Sequence, residues 1–298
     1  MLGRIFTVGG YTLLSRLTGL ARDIMLAAFL GAGPVADAFY VAWRLPNSFR
    51  AIFAEGAFNA AFVPAYAHLH NGSEKSAKLF ADRIFTLLFS SQLVLLVVAW
   101  LFMPQAMSIL APGFTDDAEQ RRLAIELTRI TFPYLLLITL VTLYGGVLNV
   151  MHRFASAAAA SIFLNIAMMA TLALAVFFPT PGHAAAWGVL ISGFLQYFLL
   201  AGDLATHGGL PRFALPKLDE DVRAFFRALG PATIGSMGTQ VALFADTIIA
   251  TFLPAGALSA LYYADRLNQL PIGVIGIAIG TVLLPEMSRR LKIGRAHV

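Results

Sequence analysis

Residues 23–45 read DIMLAAFLGAGPVADAFYVAWRL, and residues 246–267 read DTIIATFLPAGALSALYYADRL. Asp23 aligns with Asp246, Ala27 with Ala250, Phe29-Leu30 with Phe252-Leu253 and Ala32-Gly33 with Ala255-Gly256. After one gap, Ala42, Arg44 and Leu45 align with Ala264, Arg266 and Leu267. Charged residues at matching depths in apolar segments mark an internal repeat, because charges are much rarer than leucines in hydrocarbon. Each copy is an apolar run, a turn of small residues and a second apolar run, as a membrane hairpin requires.

Composition extends that reading to the whole chain. Of 298 residues, 58% are hydrophobic and only 12% charged, well below the roughly 25% charged residues of soluble domains. A bilayer crossing takes about 20 apolar residues. Candidate spans fall near residues 5–30, 36–66, 79–103, 122–150, 157–178, 184–202, 224–253 and 258–287. The runs are continuous and lack period-two alternation, which excludes a β-barrel reading. The expected fold is therefore an all-α polytopic membrane protein of about eight transmembrane helices. No cysteine is present, so disulfides and CxxC metal or redox chemistry are excluded. Arg16 and Arg22 interrupt the first apolar run where a cleaved signal would stay apolar.

Lysine and arginine in the connecting loops set the expected orientation. Lys75 and Lys78, Arg153, and Arg212, Lys217 and Arg223 occupy the second, fourth and sixth loops, and Arg289, Arg290 and Lys292 follow the last span. The first, fifth and seventh loops hold none, while Arg121 and Arg122 are the one awkward pair. Both termini are expected in the cytoplasm. The net charge of +5 then reflects loop bias and a few intramembrane arginines, and no soluble basic platform suggests nucleic acid.

Six crossings separate the two repeat copies, so both run in the same direction across the membrane. Such parallel repeats place a substrate site near the midplane between two lobes. The expected organisation is a six-helix lobe over 1–205, a cytoplasmic linker over 206–223, and the first two helices of an incomplete second lobe over 224–292. The tail 293–298, IGRAHV, matches what a common sequencing adapter encodes in frame and is expected to be non-native.

The intramembrane charges identify the candidate site. At 100° per residue Arg16 and Asp23 share a helix face, whereas Arg22 points about 120° away. Asp37, Arg44 and Glu55 share a face of the second span, with Arg50 to the side and Pro46 expected to kink the helix. Several such charges together cannot face lipid at roughly 2.5–3.5 kcal/mol each. They pair, or they line a cavity. Guanidinium groups in surplus suit phosphate oxygens, which their planar forks grip in a bidentate way. Asp37 also reads as a helix N-cap after GAGPVA, and Asp265 as a local partner of Arg266.

At this point the residues carry a resemblance. SRLTGLARD (15–23), GAGPVADAFYVAWRLPNSFRAIFAEGAFNAAFVPAYA (31–67), APGF (111–114), ITFPYLLL (130–137) and YYADRLNQLPIGVIGIAIGTVLLP (262–285) resemble the MurJ (MviN) family of lipid II flippases. That family lies within the multidrug/oligosaccharidyl-lipid/polysaccharide exporter fold, and the likeness runs from about Tyr11 to Leu291. It implies a protein of about fourteen spans in the bacterial inner membrane, monomeric, without a cofactor. Such a protein moves undecaprenyl-pyrophosphate-linked peptidoglycan precursor, lipid II, from the cytoplasmic to the periplasmic leaflet by alternating access. Membrane lipids are its other partners. The family's functional arginines fall here on Arg16, Arg22, Arg50 and Arg266, with an aspartate at Asp37; Asp23, Arg44 and Glu55 are secondary candidates. The expected arrangement has Arg22, Arg50 and Arg266 on the pyrophosphate and Arg16 deeper or gating. The last family spans, associated with a lipid-tail groove, have no counterpart in this sequence.

Asp246 stands alone in MGTQVALFADTIIATFL (237–253) and is the candidate ligand for a coupling cation, sodium or proton. Membrane potential is the alternative drive. Two rival readings stay open: a cation-coupled drug or polysaccharide-lipid exporter of the same fold, and a membrane enzyme acting on polyprenyl phosphates. The first calls for an acidic cavity; the second calls for a clustered acid or histidine site. Gly276 and Gly280, in GxxxG spacing, are expected to allow close helix packing. The histidines lie near span ends, while Asp116-Asp117 and Asp219-Glu220-Asp221 read as helix starts.

Overall fold

The computed structural model describes residues 2–115 and 117–269, and every long element in them is a helix. In chain order these are α1 (Leu2–Leu30), α2 (Pro34–Phe49), α3 (Phe58–Gly72), α4 (Glu74–Leu101), α5 (Met103–Leu110), α6 (Ala118–Thr131), α7 (Tyr134–Val150), α8 (Ala155–Ala173), α9 (Pro181–Thr206) and α10 (Glu220–Ala250). A last helix, α11, occupies 257–269. The rest of the final expected span, Gly276 and Gly280, and the tail 293–298 lie outside the described residues. Among the described residues, four helical stretches are suited by length and composition to cross a membrane: Glu74–Leu101, Ala118–Val150 (α6 with α7), Ala155–Ala173 and Pro181–Thr206. The charges singled out as site candidates lie on other helices, with Arg16, Arg22 and Asp23 on α1, Asp37 and Arg44 on α2, and Asp246 on α10.

The expected kink at Pro46 takes a specific form. Pro46 lies inside α2, and the turn that follows it, Arg50–Ala57, is π-helical before α3 resumes α geometry. Proline lacks the N–H for an i→i−4 bond and crowds the preceding turn, so a widened turn nearby restores bonding without ending the helix. Glu55 lies in this turn, so a 100° spacing does not carry the face of Asp37 and Arg44 through to it. Its side chain lies outside the described residues.

Aromatic and small residues shape the core. The Phe62 ring stacks on Phe58, Tyr66 and Phe80 at centroid distances of 5.1, 5.4 and 5.7 Å, and the Phe225 ring of α10 meets Phe58 edge-on at 5.6 Å. Opposite that stack, α7 presents Gly146, where a Cβ would stand 2.8 Å from Phe62 Cδ1. Helices α8 and α9 pack against each other over much of their length, with Gly188 set against Met168 and Thr171. Between apolar helices surrounded by lipid, this close approach supplies the van der Waals contact that the hydrophobic effect does not.

Two connections differ from their simplest reading as loops. The stretch after α4 forms α5, whose Met103 and Met107 are fully buried, followed by a 3-10 turn at Pro112–Thr115. The polar segment 207–219 lies extended along α4. There Asp82 Oδ1 accepts the Arg212 N–H at 2.7 Å, and Thr86 Oγ1 accepts the Ala214 N–H at 3.0 Å. Asp219 closes the segment by pairing with Arg83 and accepting the Val222 N–H at the start of α10. Asp117 caps α6 in the same way, accepting from Glu119 and Gln120, as the acid-rich helix starts led one to expect.

Candidate functional site: a carboxylate and arginine seam between the repeat copies

The two repeat hairpins meet each other at their turns. Asp37, only 2% exposed, accepts the Gly256 N–H at 2.6 Å and the Ser259 N–H at 2.8 Å. These are among the unsatisfied donors at the start of α11, so Asp37 caps a helix that follows it by over two hundred residues. Gly256 has φ +92°, and a Cβ there would also lie 3.1 Å from the Ala32 carbonyl. Beside it the Tyr263 hydroxyl donates to the Gly31 carbonyl at 2.8 Å. Tyr40 stacks on Tyr262 with centroids 3.9 Å apart, and Arg44 Nε donates to Thr247 Oγ1 at 2.7 Å. Gly113 joins the same end: its N–H donates to Thr251 Oγ1, and a Cβ on it would overlap the Thr251 carbonyl.

Away from the turns the seam becomes ionic. Asp23 Oδ1 accepts from Arg22 Nε at 3.0 Å and Nη2 at 2.6 Å, while Asp23 Oδ2 stands 3.7 Å from Arg266 Nε. One carboxylate thus sits between an arginine of α1 and an arginine of α11. Arg266 is held further by the Tyr262 hydroxyl, which accepts from Nε at 3.1 Å and Nη2 at 2.8 Å, and by Gln269 Oε1 at 3.2 Å from Nη1. Its guanidinium lies 5.0 Å from the centre of the Tyr262 ring, a cation–π contact.

A cavity of about 360 Å³ opens on this seam between α2, α10 and α11. Arg44, Arg50 and Arg266 line it together with Asp246 and Asp265, so guanidinium outnumbers carboxylate on its described wall. Arg50 begins the π turn and also borders a second cavity, inside the first group of helices, with Asn59, Thr142 and Gln196. Arg22 is 7% exposed and stands behind Asp23, turned toward α8, while Arg16 is exposed on α1 and does not line the cavity. Asp265 accepts from Gln269 Nε2 at 3.2 Å. Asp246 is exposed on the cavity wall, and among the described residues no group of three or more His, Asp or Glu is placed to hold a metal ion.

The structure adds residues that the sequence reading did not assign to the site. Gly256, Ser259 and Tyr263 build the turn contacts, Tyr262 holds Arg266, and Asn165 of α8 bonds Arg22. For Asn165 a signal was present, since it is the only side-chain amide in the apolar run 157–178. Polar groups at such depth are retained where they have a partner.

Known proteins resemble this chain in sequence and in fold. The family model for the lipid II flippase MurJ matches residues 26–296. The chain is 42% identical over 297 residues to a probable lipid II flippase MurJ of Rhizobium tropici, covering 98% of this chain and 56% of that protein. It is 38% identical over 291 residues to the lipid II flippase MurJ of Burkholderia cenocepacia, covering 96% and 56%. The chain therefore spans about half the length of the curated relatives it matches. Its fold is similar to a solved lipid II flippase MurJ in an inward closed conformation, with TM-score 0.83 and 24% identity over 96% of this chain and 59% of that one. A multidrug resistance MATE family transporter in an inward-facing conformation gives 0.67 at 18% identity, over 90% and 62%.

Proposed function

Because this chain belongs to the MurJ family of lipid II flippases, we propose that it carries the pyrophosphate-handling part of such a transporter in the bacterial inner membrane. It moves the undecaprenyl-pyrophosphate-linked peptidoglycan precursor from the cytoplasmic to the periplasmic leaflet. In this reading residues 1–205 form a six-helix lobe, 206–223 a cytoplasmic linker, and 224–292 the opening helices of a second lobe related by the internal repeat. The chain crosses the membrane eight times with its N-terminus in the cytoplasm.

The observation that carries the proposal is Asp23, whose carboxylate lies between Arg22 and Arg266. A carboxylate between two guanidinium groups marks a place that a phosphate group also fits, with more charge and with two oxygens for the Arg22 fork that now converges on one. Arg266 and Arg50 reach the cavity first, and Arg22 becomes available as phosphate oxygens replace Asp23. Release of Asp23 from Arg266 loosens the ionic part of the seam. Ties that remain include the Asp37 cap, the Tyr263 and Arg44 bonds, the Gly113–Thr251 bond and the Tyr40–Tyr262 stack, interactions each worth about 1 kcal/mol. Ties of that size suit rocking of one lobe on the other, which opens the turn end to the periplasm. Asp246, on the same wall, is the candidate site for a driving sodium ion or proton; membrane potential is the alternative.

A chimera that continues this chain with the remaining part of the Rhizobium tropici relative, selected for growth in a host depleted of its own flippase, tests the reading. Arg266→Ala and Arg22→Ala are each expected to abolish growth at unchanged membrane levels of protein. Full growth from both removes the arginine-cavity model. For the cation, parental protein is expected to gain thermal stability with sodium and Asp246→Ala to lose that gain; an unchanged sodium effect rejects Asp246.

A further inference from the structure

We infer that Asn165, on α8, is a positioning residue that aims the Arg22 fork at the phosphate-binding place; the inference rests on the pyrophosphate reading above. Asn165 is 4% exposed. Its Oδ1 accepts from Arg22 Nη1 at 3.0 Å, and its Nδ2 donates to the Ser15 carbonyl and to Thr18 Oγ1, both at 3.0 Å. The partners fix the amide's orientation. A guanidinium only donates and a backbone carbonyl only accepts, so turning the amide over would set donor against donor and oxygen against oxygen.

This arrangement gives each member of SRLTGLARD (15–23) that faces α8 a part. The Ser15 carbonyl and the Thr18 hydroxyl hold the amide nitrogen, and Gly19 lies beside it, where an added Cβ would make an ordinary contact at 3.5 Å from Nδ2. The amide oxygen then holds one end of Arg22. The other edge of the guanidinium, Nε and Nη2, converges on Asp23 Oδ1. That edge is the one an oxyanion uses in side-on bidentate contact. With Nη1 anchored on a neutral partner, the fork keeps its charge and its direction while the anion in front of it changes from carboxylate to phosphate. An acidic residue in place of Asn165 would anchor Arg22 equally well but neutralise it.

Binding of undecaprenyl pyrophosphate and of undecaprenyl monophosphate to the complementing chimera in nanodiscs, read by native mass spectrometry well below the melting temperature, tests this. Asn165→Leu is expected to weaken pyrophosphate binding about tenfold, the scale of one charge-assisted hydrogen bond, and monophosphate binding much less. Thr18→Val, which removes one of the two acceptors of the Asn165 amide but leaves the Ser15 carbonyl, is expected to weaken pyrophosphate binding in the same direction and by less than Asn165→Leu does. If Asn165→Leu binds pyrophosphate like the parent while Arg22→Ala loses it, Asn165 does not position the fork. Loss of monophosphate binding equal to the loss of pyrophosphate binding in Asn165→Leu makes the amide a helix clamp and likewise overturns the inference. Parental binding by Arg22→Ala instead removes the underlying role of Arg22.

Discussion

Asp37 and Ser259 are 222 residues apart in sequence and joined by a 2.8 Å hydrogen bond. The same offset separates Arg44 from Arg266 and Leu45 from Leu267, so equivalent positions of the two repeat copies bond to each other. In the first copy the residue is a carboxylate buried as an acceptor; in the second it is the first-turn donor of α11. The repeat has thus diverged at this position into two halves of one contact.

Asp37→Ala removes the acceptor for two N–H groups at the start of α11 and is expected to cost about 1–2 kcal/mol. The loss falls on the turn end of the seam. A cysteine placed at Leu258, buried at the start of α11, should label faster with a membrane-impermeant maleimide in the Asp37→Ala background. Unchanged labelling would show that the cap does not hold that end closed.

Gly256→Ala and Gly31→Ala separate strain from contact. Both glycines have positive φ, +92° and +63°, but only at Gly256 does an added Cβ approach backbone, whereas Gly31 has open space. Gly31→Ala should cost about 1 kcal/mol and Gly256→Ala clearly more. The two melting temperatures in detergent check this; an equal drop refutes the packing argument.

Gly146→Ala pushes a Cβ to 2.8 Å from Phe62 in the aromatic stack, while Gly145→Ala makes only ordinary contacts at 3.8 Å. The first is expected to destabilise by about 1–3 kcal/mol and the second to be nearly neutral. A melting curve for each variant decides the matter, and a stable Gly146→Ala protein would mean that α7 shifts freely.

Tyr262→Phe keeps the ring under Arg266 and against Tyr40 but removes the hydroxyl that accepts two of its hydrogen bonds. Lipid II transport by the chimera in liposomes is expected to fall about tenfold, with Tyr262→Ala lower still. Transport at the parental rate in Tyr262→Phe would assign Tyr262 to packing alone.

The helices were legible because their apolar runs have nowhere else to go, and the arginines because each stood out against its background. What the sequence did not disclose depended on distant partners or on the backbone. Pro46 announces a kink, yet nothing in RAIFAEGA says that the chain answers with a π turn. Asp37 reads as a cap for its own helix, and the helix it caps instead is α11, which local pattern cannot reveal. Helical angles put Arg22 on a different face from Arg16, and the structure shows Arg22 facing α8 with Arg16 exposed. The same angles could not show that one of Arg22's contacts is an amide, since an isolated Asn165 in α8 names no partner.

The strap at 207–219 has a consequence for which positions are free to vary. It is held to α4 by the main-chain N–H groups of Arg212 and Ala214, not by their side chains. Any residue with an N–H serves at 212 and 214, so those positions can drift, whereas Asp82 and Thr86 supply the acceptors and cannot. Proline is the one residue barred from 212 and 214. The prolines of this segment, Pro211 and Pro216, stand where the strap asks for no donor to α4. At these two positions, then, the constraint on the strap is set by two residues of another helix and not by its own side chains.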